Sequence, residues 1–451
     1  MTRRGLHLVA FFICSVNFTL PSEAATTGLL HLRGATMGTT YSIKISGPPD
    51  GSEWAEETSL AVEAELRRVN DQMSTYLKTS ELSRFNDSTS TDWFDVSFET
   101  ATVVDFAMQV GEKSGNAFDV TVAPLVDRWS FGPGKRNRDV PTDTELDEIG
   151  KRIGRSHLAV RLDPPALKKN IPDLRVDLSA IAKGHGVDRI VELLAYRGAE
   201  NVFVEIGGEV RVRGVKQTPA GPVAWNVGIQ KPDAASNEIA VAYPMTNNAM
   251  ATSGDYRNFF EFAGQRYSHT IDPVTRRPVQ HNLASVTVIA PTCMAADAWA
   301  TALNVLGPER AKRIAEMNEL DTLLISRGLD RGATAELKSN QSNENQMNIM
   351  GTGMLSAIAD QMQQATAMAQ ADVSTEGGFL QQMGPVLLLT FAGFAAVLMA
   401  MAIGVIFGRK SIAGSCGGLN ARTDPDGVSR CSMCSSPSEG CEKLREKVDG
   451  R

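Results

Sequence analysis

Four short stretches carry side chains whose types and spacing can do chemistry. Ala295-Ala296-Asp297-Ala298-Trp299-Ala300-Thr301-Ala302-Leu303 has the pattern of a helix, with Asp297 and Thr301 four apart on one face. A carboxylate above a hydroxyl offers two hard oxygen ligands to Mg²⁺, an ion that takes few protein ligands and completes its shell with phosphate oxygens. The same residues also suit an acidic group helping a helix dipole, with a threonine facing solvent. Ser268-His269-Thr270-Ile271-Asp272-Pro273 sets a histidine on a short strand before an Asp-Pro turn. There it can act as a general base near neutral pH, or as a hydrogen-bonded structural residue. Asp177-Leu178-Ser179-Ala180-Ile181-Ala182-Lys183-Gly184 joins a strand end to a helix start, where backbone groups and Lys183 can hold an anion or a ring oxygen. Asp177 as a helix N-cap accounts for that aspartate equally well. Met37-Gly38-Thr39-Thr40-Tyr41 is a Gly turn ahead of an alternating strand.

The elements that must position these residues lie in 28–337, where strand and helix patterns alternate. Leu174 to Leu178 reads as a strand, and Ile181 to Leu194 carries apolar residues at helical spacing before a stop at Arg197-Gly198. Asn201 to Ile206 reads as a strand, Gly207-Gly208 as a tight turn and Glu209 to Val212 as the hairpin partner. The expected class is α+β, with helices flanking mostly antiparallel sheets. Residues 338–378, rich in Asn, Gln, Met and Ala, read as a linker, with Met347 to Ala371 able to form a loose helix.

The chain has 451 residues, enough for two or three structural units, and is 42% hydrophobic and 22% charged. A net charge of −7 with no basic stripe argues against a nucleic-acid partner. Arg3 and Arg4, the apolar run Leu6 to Leu20 and the small residues around Ser22-Glu23-Ala24 have the order of a signal peptide over residues 1–24. Pro385 to Phe407 runs 23 residues without a charge, and a transmembrane helix is expected within 379–408. Arg409 and Lys410 follow at once, while 339–408 contains no Lys or Arg. The positive-inside rule then sets 409–451 in the cytoplasm and the preceding chain outside it, in the periplasm of a bacterial inner membrane. Of six cysteines, Cys14 lies in the signal segment, Cys293 stands alone, and Cys416, Cys431, Cys434 and Cys441 crowd into the tail. In a reducing compartment those four favour metal binding over disulfides.

Taken in order, MGTTY (37–41), MSTY (73–76) followed by ELSRFN, FDVTVAPLVDRWSFGP (118–133), DLSAIAKGHGVD (177–188), VEIGGEVRVRG (204–214), ATSGDYRNF (251–259), SHTIDP (268–273) and AADAWATAL (295–303) closely resemble the ApbE family of FAD:protein FMN transferases. The resemblance covers residues 31 to about 310. The one departure is Arg276, where the family usually carries Gly after Asp-Pro-x-Thr. The resemblance implies that Met37, Tyr76, Ala117, Phe118, Asp119, Asp177, Lys183 and Ile271 bind FAD. It also implies that Asp297, Thr301 and the Ala180 carbonyl bind Mg²⁺, and that His269 is the base. The implied reaction moves FMN from FAD onto a threonine hydroxyl of a target protein and releases AMP. FAD pyrophosphatase activity and non-enzymatic FAD binding are the alternatives. GVIFGRKSIAGSCGGL (404–419) with the later cysteines resembles the small maturation factor of the sodium-pumping NADH:quinone reductase. That likeness implies iron at the four thiolates, with structural zinc as the alternative, and flavin-acceptor subunits of the reductase as partners.

Overall fold

Strand order in the main sheet follows the chain. The computed structural model describes residues 28–133, 138–232, 238–255, 258–328 and 347–368. Eight strands, Leu29–Thr36, Thr39–Ser46, Val202–Ile206, Glu209–Arg213, Ala249–Gly254, Leu283–Ala290, Asp321–Ser326 and Asn348–Thr352, lie side by side in that order. Every neighbouring pair is antiparallel. Such a meander leaves the chain free to insert long segments between strands, and most of the site residues sit in those insertions.

Alternation along the strands buries both faces of the sheet. On one face Ile43, Val202 and Val204 meet Val62 and Leu66 of the helix Ser52–Met73 and Val187 and Ile190 of the helix Ala182–Tyr196. Val286 and Val288 meet Val103 of the helix Phe98–Lys113 and Leu303 of the helix Cys293–Leu306. On the other face Ile289, Leu323 and Ile325 meet Trp225 and Val227, which belong to a separate two-stranded hairpin. The strand Leu283–Ala290 is therefore buried throughout, which is why it reads LASVTVIA rather than alternating. A smaller cluster around Leu125, Trp129, Phe260, Tyr267 and Ile271 stands beside the sheet.

The α+β class with antiparallel sheets agrees with expectation, but two local readings need correction. Leu174 to Leu178 is not a strand. Its hydrogen-bond partners are not a neighbouring strand. Val176 N–H donates to Asn86 Oδ1 (2.7 Å), Asn86 Nδ2 donates to the Val176 carbonyl (2.8 Å), and Asp177 N–H donates to the Val120 carbonyl (2.7 Å). The segment read as a linker also contributes to the domain. Asn348–Thr352 closes the sheet edge against Asp321–Ser326, and residues 356–368 form a helix. Ile349, Leu355 and Ala359 are buried in the core of that face. The catalytic candidate thus extends beyond 337 to at least 368.

The chain divides into two units, Met1–Gln370 and Ala371–Arg451, and all described residues belong to the first. The expected signal peptide, the transmembrane segment and the four tail cysteines lie outside the described residues. Among the described residues no helix is long and apolar enough to cross a membrane.

Candidate active site

Two walls enclose a cleft of about 610 Å³. The first is built from two helices, Ala182–Tyr196 carrying Lys183 and Cys293–Leu306 carrying Asp297 and Thr301. Gly184 lets their backbones touch, since a Cβ there would collide with the Cys293 carbonyl. Its N–H donates to Asp297 Oδ2 (3.0 Å). Asp188, one turn further on, accepts from the Cys293 and Met294 N–H groups (2.8 Å each). It thereby places a carboxylate at the start of the Asp297 helix, where the dipole favours it. Arg211 pairs with Asp188 at 2.8 Å, and Thr292 caps the helix through the Ala295 N–H.

Between the helices lies a buried ionic group. Lys183 Nζ stands 2.7 Å from Glu209 Oε1 and 3.8 Å from Asp297 Oδ1. Burial works against the charge on Lys183, but the carboxylates of Asp297 and Glu209 outweigh it and hold the ammonium above its ordinary range. Glu209 and Asp297 are themselves only 3% and 5% exposed, so both charges depend on such partners.

The second wall is made of turns and loops. Met37 and Gly38 link the first two strands as a two-residue turn with positive φ at both positions (49° and 72°), and Met37 reaches Gly186 on the Lys183 helix. A non-glycine residue held there costs on the order of 1 kcal/mol and is typical of a functional turn. Asp119 folds the next loop by accepting from Thr121 N–H (2.8 Å), Thr121 Oγ1 (2.6 Å) and Arg155 N–H (3.1 Å). Burial still pushes its pKa up against these bonds. Asp177 accepts from Ser179 N–H (2.8 Å), whereas the N-cap position of the following helix is Ile181, with no side-chain cap. The Asp177 N-cap reading is therefore replaced by a local loop bond.

His269 follows the strand Gln265–Ser268 directly. Its Nδ1 lies 3.0 Å from the Asn258 carbonyl oxygen. A carbonyl only accepts, so Nδ1 carries the proton and the lone pair of the neutral ring is on Nε2. The turn beyond keeps a left-handed residue although Arg replaces Gly. Arg276 has φ 61°, donates its N–H to the Asp272 carbonyl (2.7 Å) and pairs with Asp147 at 2.5 Å.

Every residue singled out from the sequence for FAD, Mg²⁺ or base chemistry in the main domain lines this one cleft: Met37, Tyr76, Ala117, Phe118, Asp119, Asp177, Ala180, Lys183, His269, Ile271, Asp297 and Thr301. Tyr76 is exposed at 66%, whereas Ala117 and Phe118 are buried. Sequence reasoning missed Glu209, Thr252, Ser253 and Asn258, which also line it. Glu209 had a faint signal, a carboxylate opening an otherwise apolar-alternating strand straight after Gly-Gly.

The oxygens of Asp297, Thr301 and Ala180 suit a hard cation. Asp297 Oδ2 takes the Gly184 N–H and Oδ1 stands beyond hydrogen-bond range of Lys183, so the carboxylate keeps acceptor capacity. Among the described residues no group of three or more His, Cys, Asp or Glu side chains could hold a metal alone. That donor set fits an ion that completes its shell from substrate phosphates and water.

An antiparallel meander whose insertions gather a carboxylate, a hydroxyl, a half-buried lysine and a histidine in one cleft defines the class. This chain belongs to the ApbE family, whose sequence model matches residues 37–324. It is 46% identical over 296 residues to an FAD:protein FMN transferase of Vibrio cholerae serotype O1, covering 66% of this chain and 87% of that protein. It is 37% identical over 319 residues to the FAD:protein FMN transferase of Escherichia coli K12, covering 70% and 90%. Among solved structures it is similar to the flavin transferase ApbE from Vibrio cholerae, with 42% identity, a TM-score of 0.62 and coverage of 72% of this chain and 97% of that one. It is likewise similar to the apo form of the Pseudomonas stutzeri flavinyl transferase ApbE, with 34% identity, a TM-score of 0.60 and coverage of 66% and 92%.

Proposed function

We propose that this protein is an FAD:protein FMN transferase that acts on a threonine hydroxyl of its target. The observation that carries the reading is the His269 ring, anchored through Nδ1 on Asn258 and lining the same cleft as Asp297, Thr301 and the Ala180 carbonyl. The deep cleft holds FAD, with Met37, Tyr76, Ala117, Phe118, Asp119, Asp177, Lys183 and Ile271 around it. Nε2 of His269 takes the threonine proton as the oxygen attacks the phosphorus of the FMN half. The new bond is threonine oxygen to phosphorus, the bond broken is the pyrophosphate linkage, and AMP leaves with the electron pair. Asp297, Thr301 and Ala180 would hold Mg²⁺, which would supply charge neutralisation on the pyrophosphate. Lys183 adds a fixed positive charge near the same phosphates.

The remainder of the chain extends this reading. Residues 1–24 export the domain, 379–408 anchor it in the inner membrane, and the cytoplasmic tail binds iron through Cys416, Cys431, Cys434 and Cys441. The combination serves maturation of a sodium-pumping NADH:quinone reductase, with flavin attached outside and metal supplied inside. The test is incubation of the purified protein with FAD, Mg²⁺ and a flavin-acceptor subunit of that reductase. In-gel flavin fluorescence on the acceptor supports transfer. Free FMN with a dark acceptor points to a pyrophosphatase, and unchanged FAD to a storage protein.

A further inference from the structure

Glu209 has no part in the reading above, yet it forms a close ion pair with Lys183 in the cleft. It opens the strand Glu209–Arg213 directly after Gly207 and Gly208, both at positive φ, and this turn brings its side chain inward. There it lies against Gly207, where an added Cβ would stand 3.5 Å from Glu209 Oε2. Its side chain is 4% exposed, and at that depth the 2.7 Å contact with Lys183 helps it carry its charge.

Lys183 has two acids to choose between. It sits on Glu209 and stands off from Asp297 by 3.8 Å, a separation at which no hydrogen bond forms. Buried charges must balance. The Glu209–Lys183 pair is neutral in itself, so the charge of Asp297 remains available to something else. Without Glu209 the ammonium has one acid left in reach, and Asp297 becomes its counter-ion.

We propose that Glu209 is a positioning residue that holds Lys183 away from Asp297 and so keeps the Asp297 carboxylate open for a divalent cation. This rests on the reading of Asp297 as a Mg²⁺ ligand. It gives Glu209 a role through Lys183 rather than through contact with substrate.

The test is binding of Mn²⁺ alone to the full-length protein, read by electron paramagnetic resonance of the free ion, so that no turnover is needed. Asp297→Asn checks the underlying reading and is expected to lose the site. Glu209→Gln keeps the shape, removes the charge and is expected to weaken Mn²⁺ about tenfold or more, as loss of a nearby counter-charge in a partly buried site would. Adding Lys183→Met to Glu209→Gln is expected to restore binding to the wild-type value, because Asp297 then has no ammonium to neutralise. Lys183→Met alone is expected to bind at least as tightly as the wild type, and it carries the test if Glu209→Gln does not fold. Loss in Asp297→Asn with wild-type affinity in Glu209→Gln overturns the proposal and leaves the metal reading standing. A double variant no better than Glu209→Gln overturns it as well, as does weaker binding by Lys183→Met. Wild-type affinity in Asp297→Asn removes the metal reading and this inference together.

Discussion

The two walls of the cleft are built by different physics. In the helix wall, Lys183, Asp297 and Thr301 are set by helical spacing and by two helices locked at Gly184 and Asp188. In the loop wall, Asp119, Asp177 and His269 are set by local hydrogen bonds of their side chains, and Met37 by a tight turn at positive φ. Behind that wall, Lys169 is fully buried and donates to the carbonyls of Phe85, Asn86 and Leu174 at 3.1–3.3 Å, binding the end of the helix Glu81–Asp87 to the Asp177 segment. The contrast separates two tasks. The lysine and the metal-facing carboxylate sit where the backbone is regular and cannot drift, while the surfaces that shape the ligand sit where a few hydrogen bonds decide the course of the chain.

If that division is right, the largest losses come from the rigid charges. Asp297→Ala is expected to take transfer to background at ordinary Mg²⁺ with the protein still folded; near-wild-type turnover would remove Asp297 from the metal set. His269→Ala is expected to slow transfer by about 10²–10⁴-fold while FAD affinity, followed by flavin fluorescence, stays close to wild type. A collapse of FAD binding instead would make His269 a ligand contact.

A smaller effect probes the helix wall through pH. Burial, reinforced by nearby Arg189, depresses the His185 pKa from 6.5 to about 4. The unfolded chain takes up that proton first as pH falls from 6.5, so this residue costs stability progressively down to about pH 4, and nothing above pH 7. The loss amounts to roughly 3 kcal/mol, and His185→Phe is expected to lack it. Denaturant unfolding at pH 7 and pH 4 in both proteins measures the difference, and equal losses would contradict it. The smallest effect belongs to the loop wall. Asn86→Ala removes two buried bonds to Val176 and is expected to cost about 1–3 kcal/mol of stability. It should weaken FAD binding more than it slows the transfer step, because it acts on the loop and not on the rigid charges; a pure rate defect would erase the distinction.

The same division explains what could be read from the chain. That Asp297 and Thr301 share one helix face was legible because helical spacing is local, and the hairpin of Val202–Ile206 and Glu209–Arg213 because a Gly-Gly turn separates two short strand patterns. Leu174 to Leu178 read as a strand because its side chains alternate, but its partner is the side chain of Asn86, far earlier in the chain, and no pattern announces that. Residues 338–378 looked like a linker from their Asn, Gln and Met content, yet Ile349, Leu355 and Ala359 are enough to dock a strand and a helix. Glu209 escaped because a carboxylate after Gly-Gly reads as an exposed turn until Lys183 is placed opposite it. The resemblance to a family named the ligands of both walls, which spacing alone could not.

The central claim is that one cleft joins FMN to a protein hydroxyl and releases AMP. It is tested most directly by mass spectrometry of a reductase acceptor subunit after incubation with this protein, FAD and Mg²⁺, with AMP quantified in the same sample. The expected result is one FMN phosphoester on a threonine for each AMP released, absent with His269→Ala over the same interval. AMP and free FMN in equal amounts beside an unmodified acceptor would contradict it.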